Sequence, residues 1–266
     1  MSFNEEIKYQ NTGFVCTYNY GSSTPERILE NHCHPSYEII TVLSGSASYV
    51  SEGSYQKVTA GNIIIIPPML YHSISSKNPH KYERITVQFH DSAIPRSIRN
   101  VFDSINKSIL INADTSLNNL SGNLKKYLLE QSDIYSDLIN ALLVQLLYFV
   151  SDGDYIYTDK QSADDNLMRI IEFINSNLEK KLTLESISEN VFLSVSTVSH
   201  IFKEKMNTSV KQYILQKKLA YAANLIKNGY SAIEASKAIG YTNYANFYTV
   251  YKKIVGETPS FSKKND

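Results

Sequence analysis

The sequence predicts a two-domain α+β chain, with an antiparallel β barrel and two helices in residues 1–150 and an all-α domain in residues 164–266. Three observations carry this. From Cys16 to about His90, short runs of β-branched and aromatic residues are broken by Gly, Pro and Asn, the pattern of many short strands. Beyond Pro95, apolar residues recur at three and four, the spacing of amphipathic helices. The 26 Lys+Arg and 26 Asp+Glu cancel overall, yet residues 1–160 hold 12 basic against 16 acidic side chains and residues 161–266 hold 14 against 10, a net of −4 before a net of +4. A basic C-terminal half suits a polyanion partner, with ordinary surface variation as the plain alternative.

Composition bounds the rest. With 42% hydrophobic and 20% charged residues the chain can bury a real core. Cys16 and Cys33 lack CxxC spacing, so neither a disulfide framework nor a structural zinc is indicated. Met1–Gln10 has no apolar core of a signal peptide, and Leu138–Val150, the most apolar stretch, is too short and interrupted to cross a bilayer. The expected location is a reducing cytoplasm, with no membrane partner. No Ser-His-Asp set, phosphate loop or nucleotide fingerprint appears.

Taken in order, the clearest strands are Glu38–Leu43, Ala47–Val50, Asn62–Ile66 and Arg84–Phe89. Ile63–Ile66 is followed by Pro67–Pro68, so that strand stops there or lies at an edge. Leu117, Leu120, Leu124 and Leu128, then Ile134, Leu138, Leu142 and Phe149, mark two helices. Residues Ile139–Val150 are apolar almost all round, more than one face of a barrel needs, which points to a homodimer interface or to intramolecular packing. Residues 151–163, with Gly153 and several Asp, form the expected linker. Asp164 or Asp165 caps a helix to Asn177, and Thr183 and Ser194 cap the next two. A long helix runs from about Ser209 to Lys227, Ala232–Ala238 is short, and Thr242 or Asn243 caps the last helix, which ends near Val255.

The segment Ile187–Lys203 echoes Ala235–Lys252. Each reads as a short helix, a tight turn, a capping side chain, and a helix ending in an aromatic and a lysine, Phe202–Lys203 and Tyr251–Lys252. Ser188 pairs with Ser236 at an offset of 48 and Val198 with Phe247 at 49. This describes two helix-turn-helix modules, about 183–205 and 231–254, joined by one helix. A linking helix of about 18 residues spans roughly 27 Å, and packing of both modules against it can place the recognition helices about 34 Å apart, one turn of DNA.

Here the sequence resembles a known family, the AraC/XylS-type transcriptional regulators, over most of Leu167–Phe261. The strongest signature is Ile233–Glu234–Ala235, Ile239–Gly240–Tyr241, Phe247, Tyr251–Lys252–Lys253 and Gly256–Glu257–Thr258–Pro259–Ser260. Leu184, Ile187, Ser194, Val198, Phe202–Lys203 and Tyr213 repeat it more loosely. Asn207 stands where glycine is usual, Lys218 where arginine is common, Ser236 where alanine is common, and Thr249 where an arginine often reaches DNA. The resemblance implies DNA contacts from Ser196, Thr197, Ser199, His200 and Lys203 in the first module and Asn243, Tyr244, Asn246, Thr249 and Lys252 in the second. These side chains suit base edges, and the lysines suit phosphate. Neither recognition helix carries arginine, so bidentate guanine readout is absent and weak, dimer-assisted or A·T-biased recognition is expected.

In the first domain His32–Cys33–His34, Glu38 and Gly45, with Gly61, Pro67 and His72, resemble the two cupin motifs, which makes the expected barrel cupin-like. Met69 replaces the glycine usual in the second motif of metal cupins. Three readings stand for His32, His34, Glu38 and His72, joined by Tyr49: a pocket for a small polar effector, a divalent metal site, or structural histidines. The expectation is an effector pocket and no cofactor. Tyr37 and Tyr71 are further aromatics of the region. The expected protein is a sequence-specific transcription regulator and activator, not an enzyme. Its expected partners are double-stranded DNA, a second copy of the chain, RNA polymerase and a small effector such as a sugar. A metal-binding cupin enzyme fused to a helical domain, and a helical protein-interaction protein without DNA binding, are the alternatives.

Overall fold

The structure, a computed structural model, describes residues 5–20, 31–52, 54–152, 156–157, 165–255 and 258–259. Contacts separate a β-rich unit, which includes residues 36–160, from a helical unit, which includes residues 161–266. Most of the expected linker 151–163 lies outside the described residues, as do Gly256, Glu257 and Ser260 of the closing signature.

The β-rich unit contains β1 (Glu5–Gln10), β2 (Phe14–Tyr20), β3 (Tyr37–Ser44), β4 (Ser46–Ser51), β5 (Ser54–Thr59), β6 (Asn62–Ile66), β7 (His72–Ser75), β8 (Glu83–Phe89), β9 (Ile109–Asn112) and β10 (Ile156–Tyr157). Its helices are α1 (Arg99–Asp103), α2 (Thr115–Glu130) and α3 (Ser136–Ser151). All pairings are antiparallel, in a seven-stranded sheet of order β1-β2-β8-β3-β6-β9-β10 and a three-stranded sheet of order β5-β4-β7. The expected barrel therefore does not form. The sheets stay open because the chain leaves the large sheet at Gly45 and because helices cover that sheet's other face. Gly45 turns at φ 75°, and a Cβ there would meet the Lys81 carbonyl oxygen at 2.2 Å, so only glycine makes this turn.

Strand alternation then fills two cores. Ile39, Ile63, Ile65, Val87 and Phe89 pack with Leu117, Leu124, Leu143 and Leu147 from α2 and α3. Ile40, Val42, Ile64 and Ile66 face Ala47, Tyr49, Val58 and Ile74 of the small sheet. This explains the unbroken run Ile63–Ile66: β6 is an interior strand between β3 and β9, buried on both faces, and Pro67 ends it. Two residues of the expected linker, Ile156 and Tyr157, instead pair with β9.

Asp114 caps α2, accepting from Leu117 N at 2.8 Å. The helical run Asp133–Ser151 is longer than the Leu138–Val150 stretch and is long and apolar enough to cross a membrane by length and composition alone. Its face Ile139, Leu143, Leu146, Leu147 and Val150 is buried in the β-rich unit, while Leu138, Val144 and Tyr148 are exposed.

The helical unit consists of α4 (Asp165–Asn175), α5 (Leu184–Val191), α6 (Val195–Met206), α7 (Val210–Lys227), α8 (Ala232–Ala238) and α9 (Tyr244–Val255). Helix α4 buries Leu167, Ile170, Ile171 and Ile174. Thr183 and Ser186 form a capping box on α5, Ser231 and Glu234 another on α8, and Ser194 and Ser209 cap α6 and α7. Asn207, the residue in the usual glycine position, adopts φ 50° after α6. Around the end of α7, Leu219, Ala223, Ile226, Ala235, Ile239, Phe247 and Tyr251 form one core.

Candidate nucleic-acid interface and effector site

Helices α5 and α6 form one helix-turn-helix and α8 and α9 the other, with α7 between them. Their turns differ in one informative way. At the offset of 48, Phe192 corresponds to Gly240, and both are left-handed, at φ 57° and 90°. Glycine takes this conformation without strain. Phe192 takes it with its ring 86% exposed, so no packing compensates.

On α6, Val198, Ile201 and Phe202 turn inward, and Phe202 meets Tyr213 edge to face at 5.1 Å. Ser196, His200 and Lys203 are exposed and Thr197 and Ser199 half-buried. The Ser194 hydroxyl accepts from Thr197 N at 3.1 Å and lies 2.8 Å from Ser196 Oγ and 2.7 Å from Thr197 Oγ1, so both neighbouring hydroxyls serve the cap. His200 Nε2 stands 3.7 Å from Glu204 Oε2, a carboxylate on the exposed side of α6 that no motif in the sequence singles out. On α9, Phe247 and Tyr251 turn inward and Asn243, Tyr244, Asn246, Thr249 and Lys252 are exposed. Asn243 Oδ1 accepts from Asn246 N at 3.2 Å, capping the helix, and Thr249 Oγ1 donates to the Ala245 carbonyl at 3.0 Å. Tyr248, likewise not singled out by a motif, is exposed beside Tyr244, their ring centroids 6.4 Å apart.

In the β-rich unit, Glu38 shares the strand face of Ile40 and Val42, and Tyr49 and His72 enter the same layer from the small sheet. All three are buried. The Leu70 carbonyl can only accept, so His72 Nδ1, 2.8 Å away, carries a proton. Its Nε2 faces Glu38 Oε2 at 3.3 Å. The Tyr49 ring lies 6.4 Å from that of His72, and burial pushes its phenol upward against the hydroxyls of Ser108 and Ser51. His32 and His34, whose ring centroids lie 5.6 Å apart, belong to the segment Asn31–Pro35, which groups with the helical unit and not with the β-rich one. Tyr37 is not part of this layer: its hydroxyl donates to the Phe102 carbonyl at 3.1 Å in the helix-side core. Met69, in the second motif, keeps a left-handed backbone at φ 66°. Ser51 and Ser108 were not foreseen, because only folding brings them to Tyr49.

Two family models match the chain, an AraC-like ligand binding domain over residues 20–147 and a helix-turn-helix domain over residues 187–265. The chain belongs to the AraC/XylS-type family. As an AraC-type protein it is a DNA-binding transcription regulator with an N-terminal ligand-binding domain, and not an enzyme. The HTH-type transcriptional activator RhaR of Mannheimia succiniciproducens is 23% identical over 235 residues, 86% of this chain and 85% of that protein. The lactose operon transcription activator of Staphylococcus xylosus is 23% identical over 211 residues, 76% of this chain and 74% of that one. The crystal structure of ToxT from Vibrio cholerae O395 aligns with a TM-score of 0.43 at 16% identity, covering 97% of this chain and 95% of that one.

Proposed function

We propose that this AraC-type regulator is a cytoplasmic homodimer that activates nearby genes through RNA polymerase when a small polar effector occupies the layer around Glu38, Tyr49 and His72. The buried Glu38–His72 pair carries this reading. The Leu70 carbonyl and the Glu38 carboxylate hold the His72 ring in one orientation, so the pair forms a fixed polar spot in an otherwise apolar layer, the arrangement that orients a small polar ligand. The relative named as the lactose operon transcription activator supports a carbohydrate as the first class to test. The sequence spacing of His32, His34, Glu38 and His72 favours a second occupant, a divalent ion, with His72 Nδ1–H oriented by Leu70. Thermal melting against a panel of sugars, and against Zn²⁺ with and without EDTA, separates the two. A shift with neither removes both.

On the DNA side, Lys203 and Lys252 meet phosphate, and His200, Tyr244 and Asn246 read base edges. Selection of genomic fragments by the full-length protein, then footprinting, should protect two successive major grooves per monomer. His200→Ala with Asn246→Ala should abolish selective binding with the fold intact. Unchanged affinity for the selected fragments would remove both residues from the readout.

The dimer reading rests on α3. Ile134, Leu138, Ala141, Gln145 and Tyr148 follow a four-three spacing along its exposed side, opposite the buried face, which is the seam of a two-helix contact. A second copy of the chain offers the matching stripe.

A further inference from the structure

Lys218 sits midway along α7, half-buried, and its ammonium donates in two directions. One hydrogen bond reaches the Lys180 carbonyl at 2.8 Å, in the turn between α4 and α5. The other reaches the Ile239 carbonyl at 2.9 Å, at the C-terminal end of α8, and the next residue, Gly240, turns the chain towards α9. Lys218 thus touches the backbone that leads into the first module and the backbone of the second module at once. Tyr221, one turn along α7, adds a second tie to the same turn by donating to Glu179 Oε1 at 2.5 Å.

This placement has a cost and a geometric result. Burial lowers the Lys218 pKa, and among the described residues no carboxylate is ion-paired with it, so two carbonyl dipoles do the holding. Helix α7 packs on α6 from one module and on α8 and α9 from the other, and among the described residues none of α4, α5 or α6 packs on α8 or α9 as extensively as α7 does. The angle between the modules therefore depends on how each is seated on α7. Apolar contacts of Leu219, Ala223 and Ile226 with Phe247 and Tyr251 resist separation but tolerate sliding. Directional bonds from one ammonium to two backbones do not.

We propose that Lys218 is a positioning residue: by bridging the Lys180 and Ile239 carbonyls it sets the angle between α6 and α9, and with it the groove spacing that one monomer can read. This inference rests on the DNA-binding reading only for its consequence, not for the angle itself.

The angle is measured without DNA, by pulsed electron spin distances in the full-length chain. Spin labels go at Glu204→Cys on α6 and Lys253→Cys on α9, both exposed, in a Cys33→Ser background that leaves only buried Cys16. With Lys218 present, one narrow distance distribution is expected. In Lys218→Met it should broaden or split while the circular dichroism spectrum stays unchanged, and Lys218→Arg, which keeps charged donors, should restore the narrow distribution. A Lys218→Met distribution identical to that of the parent overturns the proposal. If Lys218→Met does not fold, Lys218→Gln, which keeps a donor without the charge, is read in the same way. A second arm uses fragments selected by the unmodified protein, intact or with one groove scrambled. The preference for the intact fragment should fall about tenfold in Lys218→Met, as for a loosened tether between two binding modules. Distances that change without any change in this preference would keep the positioning role and remove the two-groove reading instead.

Discussion

Hydrogen bonding divides the polar side chains of the two recognition helices into those spent on the helix and those open to a partner. The Ser196 and Thr197 hydroxyls, Asn243 Oδ1 and the Thr249 hydroxyl are engaged in caps or turned back to the backbone. Lys203 and Lys252 project from the exposed side. Replacing either lysine with alanine should weaken binding evenly across sequences and reduce the slope of log affinity against log salt by about 1. Titration of the selected fragments in increasing salt checks this, and a change confined to one base position would move that lysine from phosphate to base readout. Glu204→Gln should tighten binding, because it removes a carboxylate 3.7 Å from His200 on a face that must approach phosphate. At the other end of the chain, burial pushes the Cys16 thiol up to about 12 from 9.0. The native protein should show one rapidly alkylated thiol, the half-exposed Cys33, and two once unfolded. The same shift gives a sign for stability: between about pH 9 and 12 the unfolded chain releases the Cys16 proton while the folded chain holds it, so stability falls as pH rises through that window. Denaturant midpoints that stay level across it would count against the burial of Cys16.

At the scale of elements, the echo between the modules yields a stability prediction. Phe192→Gly gives the first turn the residue the second turn already has. Relief of left-handed strain, roughly 1–2 kcal/mol, exceeds the roughly 0.5–1 kcal/mol of extra freedom in the unfolded chain, so a net gain of up to about 1 kcal/mol is expected. For a unit of this size that is a rise of up to about 4–8 °C in Tm. A fall would mean that the exposed ring has a partner. These helices were legible in the sequence because their boundaries are chemical: Thr183, Ser194 and Asn243 are capping residues followed by apolar residues at helical spacing. The open sheets were not. Alternation along β3 and β6 shows that both faces are buried, but a second sheet, a helical layer and the far wall of a barrel bury a strand equally well. Closure depends on which edges pair, and no local pattern records that. The polar layer was half legible for a related reason. His32, His34, Glu38 and His72 stand at telling spacings, whereas Ser51 and Ser108 are ordinary serines until the fold brings them to Tyr49.

For the whole molecule, the exposed stripe of α3 links oligomeric state to the length of DNA covered. Leu138→Glu puts a charge at the centre of that stripe and leaves the buried face of α3 alone, so sedimentation should show a monomer with an unchanged circular dichroism spectrum. Its footprint on selected fragments should shrink from two protein-sized halves to one, with weaker and less cooperative protection. A dimer that survives Leu138→Glu would place the interface elsewhere. The division of charge, −4 over residues 1–160 and +4 over residues 161–266, places the basic excess in the half that carries the helix-turn-helix modules, the half that meets the polyanion.

Strand β6 also bears on how the chain is made. Asn62–Ile66 is short, uncharged and almost wholly β-branched, a composition that stacks readily with copies of itself when uncovered. In the finished molecule it has a strand on either side and a core above and below. During synthesis, which runs from the N-terminus, the residues of α2 and α3 that cover Ile63 and Ile65 emerge later than β6 itself. For that interval Pro67 and Pro68 are the nearest barrier against self-association. Yield of soluble protein should therefore depend on translation speed, temperature and chaperone supply more than the stability of the completed fold would suggest.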